Sequence, residues 1–156
     1  MNFRRALETL VRHQVAFVVV GGVAVVAHGA GLMTKDLDIL YALGDDNVAR
    51  LKLALDELDA VAYGDARRLR LGIEHLNNRG HHLTETSVGR IDALGSLGKN
   101  ADILYENVID EAVAMEAFGV QFLCISLRQL IEVKRELARP RDLLAVMELE
   151  TLAGLK

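Results

Sequence analysis

FVVVGGVAVVAHGAGLMTKDLDIL, residues 17–40, is the stretch on which the fold turns. Phe17–Val20 is an unbroken apolar, mostly β-branched run, the pattern of a strand buried on both faces. Gly21 and Gly22 stop it and lead into a short helix to about residue 28, which Gly29 and Gly31 break. A second strand over residues 35–42 opens with Asp36 and Asp38. Side chains alternate along a strand, so these two carboxylates share a side. They sit among Leu37, Ile39 and Leu40, where close like charges cost stability unless a cation or a proton lies between them. Magnesium is held by a few such carboxylates together with substrate phosphates. A Gly-Gly turn ahead of a helix offers backbone N–H groups to a phosphate. Together the two features predict a magnesium–nucleotide site. Taken singly each is weak: Gly-Gly alone is an ordinary tight turn, and Asp-x-Asp alone an ordinary hydrated strand end.

Outward from that centre, Phe3, Ala6, Leu7, Leu10 and Val11 recur at helical spacing and predict a helix over residues 2–13. Asp45 or Asp46 caps a further helix to about residue 58, with Val48, Leu51, Leu55 and Leu58 on its core face. Residues 62–80 have few periodic apolar positions and read as irregular. Strands are expected near 82–88, 89–95 and 119–125. Gly95, Gly98 and Asn100 mark a loop, and 102–115 reads as a short strand and then a helix. Ser126 and Gln129 form a capping box for a helix over 127–138. Pro140 at a first helical position, with Asp142 in the first turn, starts the last helix. DILY at 38–41 recurs at 102–105, too short a repeat to indicate duplication. The expected fold class is α+β: a mixed β-sheet flanked by helices (core about 15–125) with a C-terminal helical pair (about 127–152), in a single domain over 1–156.

The chain has 156 residues, 51% of them apolar, enough for a real core and against disorder. A net charge of −4 gives no general affinity for nucleic acid or an anionic membrane. An RNA acceptor would need a local basic patch, for which Arg67, Arg68, Arg70 and Arg79 are the candidates; a solvated loop is the plainer account of them. The one cysteine, Cys124, lies in an apolar run and reads as a buried reduced thiol. No apolar run reaches membrane-span length, and Met1 leads into an amphipathic helix, so a cytoplasmic location is expected.

A phosphoryl-transfer site with two metal ions wants a third acid beside the first two. Asp92 lies in GRIDAL on an expected strand that can pair beside the Asp36/Asp38 strand; Asp102, after a Gly-rich loop, is the other candidate. Lys134 shares a helix face with Leu130, Ile131 and Leu137, so it is aimed inward and needs an anion. That anion is a nucleotide phosphate, or else a structural partner such as Asp142. His28 reads as a hydrogen-bonded structural histidine at a helix end. His75, His81 and His82 lack zinc-site spacing.

These residues together resemble the nucleotidyltransferase superfamily, the fold class of DNA polymerase beta, whose pattern is a Gly-Gly turn, Asp-x-Asp on the next strand and a lone acid on a later one. The closer resemblance is to small bacterial members related to abortive-infection toxins and minimal nucleotidyltransferases, which read like GGxAxxxHG and then TxDxD. Here that is Gly21, Gly22, Ala24, His28, Gly29, Thr34, Asp36 and Asp38, with Lys134 and Asp142 in a matching tail. The resemblance spans about residues 15–148. It implies that Asp36, Asp38 and Asp92 bind two Mg2+ ions. It also implies that Gly21, Gly22, Thr34, Lys35 and Lys134 bind the NTP, and that a nucleoside monophosphate passes to an acceptor hydroxyl with loss of pyrophosphate. One departure is Leu32, where relatives often carry arginine; Lys35 can stand in for it. The chain is short for a separate acceptor domain, so a macromolecular acceptor (tRNA or protein), or a partner protein or homo-oligomer that completes the site, is expected over a self-contained drug pocket. The alternative is a catalytically weak nucleotide- or partner-binding module of a toxin–antitoxin type, with no membrane role.

Overall fold

The computed structural model describes residues 1–154, so the last two residues of the expected 1–156 span lie outside the described residues. In chain order the first elements are α1 (Phe3–Arg12), β1 (Phe17–Val20), α2 (Gly21–Ala27), β2 (Leu37–Tyr41), α3 (Asp45–Glu57), β3 (Val61–Ala62) and α4 (Ile73–Leu76). Then come β4 (His81–Thr86), β5 (Gly89–Leu94), α5 (Tyr105–Val108), a 3-10 turn, β6 (Val113–Ala117), β7 (Val120–Cys124), α6 (Leu127–Leu137) and α7 (Pro140–Leu152). The strands form one sheet in the order β3-β4-β5-β2-β1-β7-β6. It is mixed: β1 runs antiparallel to β2, while β2 with β5 and β1 with β7 are parallel.

All four residues of β1 are buried, as its continuous apolar run demands of a central strand. Asn47 in α3 ties the neighbouring strand ends together. Its Oδ1 accepts from the Ala16 N–H at 2.7 Å, and its Nδ2 donates to the Ala16 and Ala42 carbonyls at 3.1 and 2.8 Å. Tyr41, fully buried at the end of β2, donates its hydroxyl hydrogen to the Leu76 carbonyl at 2.5 Å, so its ring packs without an orphaned oxygen.

The last two helices pair with each other, and α2 packs on both β1 and β2 and against α6. Ala138 takes the left-handed conformation after α6 (φ 51°), which turns the chain directly into Pro140 at the start of α7. Leu149 and Ala145 of α7 enter the main core beside Leu130 and Ile131 of α6. Glu148 on α7 accepts from the Gly31 N–H at 2.9 Å and so pins the loop between α2 and β2.

Three expectations need correction. The segment 102–115 runs in the opposite order, helix turns first (Tyr105–Val108, Ile109–Glu111) and then β6. The second DILY is therefore not a strand like the first; it contributes only a bridge between Leu97 and Ile103. The Ser126 cap is half a capping box: Ser126 Oγ accepts from the Gln129 N–H at 3.2 Å, but the Gln129 Oε1 accepts from the Ser126 hydroxyl at 3.3 Å in place of its backbone N–H, and the Gln129 Nε2 donates to the Asn107 carbonyl. Residues 62–80 are mostly irregular as expected, save for β3 at their start and the single turn of α4.

Candidate active site

The site forms where β2 and β5 run side by side. Asp38 and Asp92 are direct partners in that parallel pair. Aligned residues of a sheet share a face, and period two adds Arg90 and Leu94 on β5; Asp36, expected to open the strand, lies in the bend just before β2, with its Oδ2 3.9 Å from Arg90 Nε. Asp92 is 7% exposed. All eight residues expected at the site line one cleft of about 710 Å³: Gly21, Gly22, Thr34, Lys35, Asp36, Asp38, Asp92 and Lys134. Asp102 is not among its lining residues; it lies exposed against Gly98 in the following loop.

The Gly-Gly turn is required by what packs on it. A Cβ on Gly21 would fall 2.1 Å from Asp38 Oδ2, and Gly21 has φ 63°, a left-handed value that side chains avoid. A Cβ on Gly22 would meet Thr34 Oγ1 at 2.7 Å. Thr34 itself donates to the Asp36 carbonyl at 3.1 Å, which bends the chain into β2. The turn, the Thr34 loop and the Asp38 carboxylate are thus one close-packed unit.

Burial pushes the Asp38 carboxyl up to about 6, and the negative charges of Asp92 and Asp36 push in the same direction. The Gly22 N–H and Lys134 oppose this without cancelling it. Asp38 is therefore short of positive charge, the condition a bound cation relieves.

The other two acids already have a partner that sequence reasoning missed. Arg90 donates from Nε to Asp92 Oδ1 at 2.9 Å and from Nη2 to Asp92 Oδ2 at 3.2 Å, a two-pronged fork. The same Nε lies 3.9 Å from Asp36 Oδ2, and the guanidinium carbon stands 4.3 Å over the Tyr63 ring. The signal was present: Arg90 and Asp92 are two apart on a strand, so they had to share a face. Among the described residues no three acids, histidines or cysteines are drawn together as a metal-holding group. Arg90 and the Gly21–Gly22 turn explain why, since they hold the carboxylates to separate partners. In chemistry, three carboxylates at the mouth of a cleft with an under-neutralised Asp38 fit a hard divalent cation such as magnesium.

Of the two roles expected of Lys134, the structure contains the structural pair with Asp142. Its Nζ donates to Asp142 Oδ1 at 3.0 Å, and its side chain also lines the cleft. Arg139 reaches the other Asp142 oxygen at 2.5 Å. Asp142 is fully buried. Burial alone would raise this carboxyl, but the hydrogen bonds from Arg139 and Lys134 outweigh it and hold the group below the usual carboxylate range. Lys35, Arg139 and Arg141 are exposed on the rim, and Leu32, at the position of the arginine departure, lines the cleft with Met33 and Leu144.

The remaining candidates have local employment. His28 Nε2 donates to the Ile125 carbonyl at 2.7 Å, the structural role expected of it. His81 Nε2 pairs with the Ser96 carbonyl at 2.9 Å, and His75 Nδ1 accepts from the Gly72 N–H at 2.9 Å. Arg67 pairs with Asp65 and Arg70 with Asp59; neither they nor Arg68 and Arg79 line the cleft. Cys124 is buried, which pushes its thiol up to about 12. No helix among the described residues is long and apolar enough to cross a membrane.

No family model matches the sequence, and no curated protein matches it. Solved structures do match. The lincosamide antibiotic adenylyltransferase LnuA, bound to lincomycin, superposes with a TM-score of 0.67 at 13% identity over 97% of this chain and 96% of its own. The antibiotic-resistance factor ANT(2'')-Ia, in complex with adenylyl-2''-tobramycin, gives 0.63 at 12% identity over 97% of this chain and 87% of its own. A Thermotoga maritima protein described as a nucleotidyltransferase gives 0.59 at 15% identity over 97% of this chain and 88% of its own. Likeness at such low identity speaks to the fold alone: this chain shares the fold of these three proteins.

Proposed function

We propose that this chain is a nucleotidyltransferase, which moves a nucleoside monophosphate from an NTP to a hydroxyl of a small-molecule acceptor. The observation that carries the proposal is the alignment of Asp38 with Asp92 across β2 and β5, with Asp36 lining the same cleft and the Gly21–Gly22 turn packed against Asp38. Asp36, Asp38 and Asp92 would hold magnesium, which supplies charge neutralisation to the triphosphate when bound. Lys35, Arg139 and Arg141 on the rim, with Lys134 below them, add positive charge where phosphates would lie. Asp92, once free of Arg90, would take the proton of the acceptor hydroxyl. That oxygen bonds to the α-phosphorus, the bond to the bridging oxygen breaks, and pyrophosphate leaves. The protein's share of the work is positioning and charge stabilisation.

The small acceptor replaces the macromolecular one expected from chain length. LnuA is nearly matched end to end by this chain and is described with lincomycin bound, so a chain of this size does not need a macromolecule to complete its acceptor site. The arginines that would have met RNA are away from the cleft and partly spent on local ion pairs. A second reading, a weakly catalytic nucleotide- or partner-binding module of a toxin–antitoxin type, draws on Leu32 and on the Arg90 pairs that tie up Asp92 and Asp36. Action as a single domain in the cytoplasm is part of the same proposal.

A label-transfer assay separates these. Protein, magnesium and each α-labelled NTP in turn are incubated with small-molecule, RNA and protein fractions of a cell extract, with an Asp38→Asn variant alongside. Label on a small molecule with the wild type only is the expected result. Label on RNA or protein would restore the macromolecular acceptor, and no transfer with any NTP would favour the binding module.

A further inference from the structure

The cleft contains one cation of its own at the very place where the acids need one. Arg90 takes up both oxygens of Asp92 and stands beside the near oxygen of Asp36, at 2.9, 3.2 and 3.9 Å. Its planar group also rests on the face of Tyr63, so the fork has a fixed orientation from a second side. The side chain is 27% exposed, at the surface of the cleft and not in the core, with a path to solvent.

We propose that Arg90 is an internal counter-ion that competes with the divalent cation for Asp92 and Asp36 and thereby sets the metal affinity of the site. The inference rests on the nucleotidyl-transfer reading of the three acids. Its physical basis is exclusion by charge and by geometry. Magnesium requires carboxylate oxygens at about 2.0–2.1 Å in near-octahedral order. A guanidinium already bonded to those same oxygens would stand within about 4–5 Å of a dication, where like charges repel strongly even at the effective dielectric of a protein surface. Both cations cannot be held in this arrangement, so loading requires the guanidinium to leave Asp92. Departure of the guanidinium also uncovers the Asp92 oxygen that the metal does not use, the one that would accept the proton of a hydroxyl. Until that happens the guanidinium eases the repulsion between Asp92 and Asp36, while both continue to act on Asp38.

An Arg90–Asp92 pair that merely braces β5 predicts something different, because its loss would lower stability and leave metal affinity alone. The test is the affinity for Mn2+ alone, read by electron paramagnetic resonance of the free ion and by calorimetry, for wild type, Arg90→Gln and Arg90→Lys. Arg90→Gln keeps a side chain of similar reach without the charge and is expected to bind Mn2+ at least tenfold more tightly. Its melting temperature without metal should be lower, and its rise on adding Mg2+ larger, than for the wild type. Arg90→Lys keeps the charge but loses the fork and the flat contact with Tyr63, and is expected to fall between the two; it serves alone if the glutamine variant does not fold. Equal or weaker Mn2+ binding in these variants, with measurable binding in the wild type, overturns the proposal and leaves nucleotidyl transfer standing. No Mn2+ binding by any of the three proteins overturns both.

Discussion

Asp38 carries more of the site's tension than any other residue, and the tension has a sign. Its carboxyl ordinarily titrates near 3.8 and is pushed up to about 6 in the folded chain. Between those values the folded chain holds the proton more tightly than the unfolded chain does, so stability falls as pH rises through that window and levels off above it. Asp38→Asn removes the buried charge and can still accept the Gly22 N–H. Compared without metal, the variant should match the wild type near pH 4 and exceed it by about 2–3 kcal/mol at pH 7. Chemical denaturation at a series of pH values reads this directly; a variant no more stable than wild type at pH 7 would mean the carboxylate is well solvated. The same variant should lose Mg2+-induced stabilisation. Asp36, Asp38 and Asp92 were legible in the sequence because acids flanked by apolar residues on strands are costly. Arg90 was missed although it stands two residues before Asp92 on an expected strand, because the arginines upstream of it read as solvated and masked that one shared face.

Among the elements, the α6–α7 pair shows how a helix end is fixed by charge. Lys134 on α6 and Arg139 before α7 meet over Asp142, which is fully buried in the first turn of α7. Removing one partner of a buried pair leaves an uncompensated charge, which costs more than removing both. Asp142→Asn should therefore destabilise the chain by about 3 kcal/mol. Lys134→Met combined with Asp142→Asn should cost less than the sum of the single changes, as a double-mutant cycle by denaturant titration would measure; strict additivity would mean that the two side chains act independently. The pH dependence runs opposite to that of Asp38. A carboxyl held below its ordinary range stabilises the fold above that range, and the contribution is lost as pH falls through its folded-state value. The helical pair itself was readable from Ser126, Pro140 and the apolar period of α6, since caps and periodicity are local signals. Segment 102–115 was not, because its apolar positions, Ile103, Leu104, Tyr105, Val108, Ile109, Val113 and Met115 among them, fit neither a period of two nor one of 3.6 throughout, so turns of helix could not be told from a strand. Pairing of β6 with β7, a contact made only after folding, decided it.

For the whole molecule, the sheet order assembles the site from distant segments. β2 and β5 are neighbours although about fifty residues separate them, and the sequence foretold that pairing only because Asp92 needed company. The apolar lining of the cleft was not legible at all, since Leu32 and Met33 come from the loop before β2 and Leu144 from α7, which Glu148 ties to that loop. That lining and the overall charge together argue about the acceptor. A polyanion docks by neutralising several phosphates with basic side chains, and each such contact steepens the salt dependence of binding. This chain carries a net charge of −4, its four loop arginines lie outside the cleft, and Lys134 and Arg139 are shared with Asp142. A mixed tRNA pool should therefore show no saturable binding at micromolar protein near 0.15 M salt, about the physiological ionic strength, when followed by fluorescence anisotropy. Micromolar binding with a log–log salt slope of about −4 or steeper would report several phosphate contacts. It would move the acceptor back to nucleic acid and require a basic surface made by more than one copy of the chain.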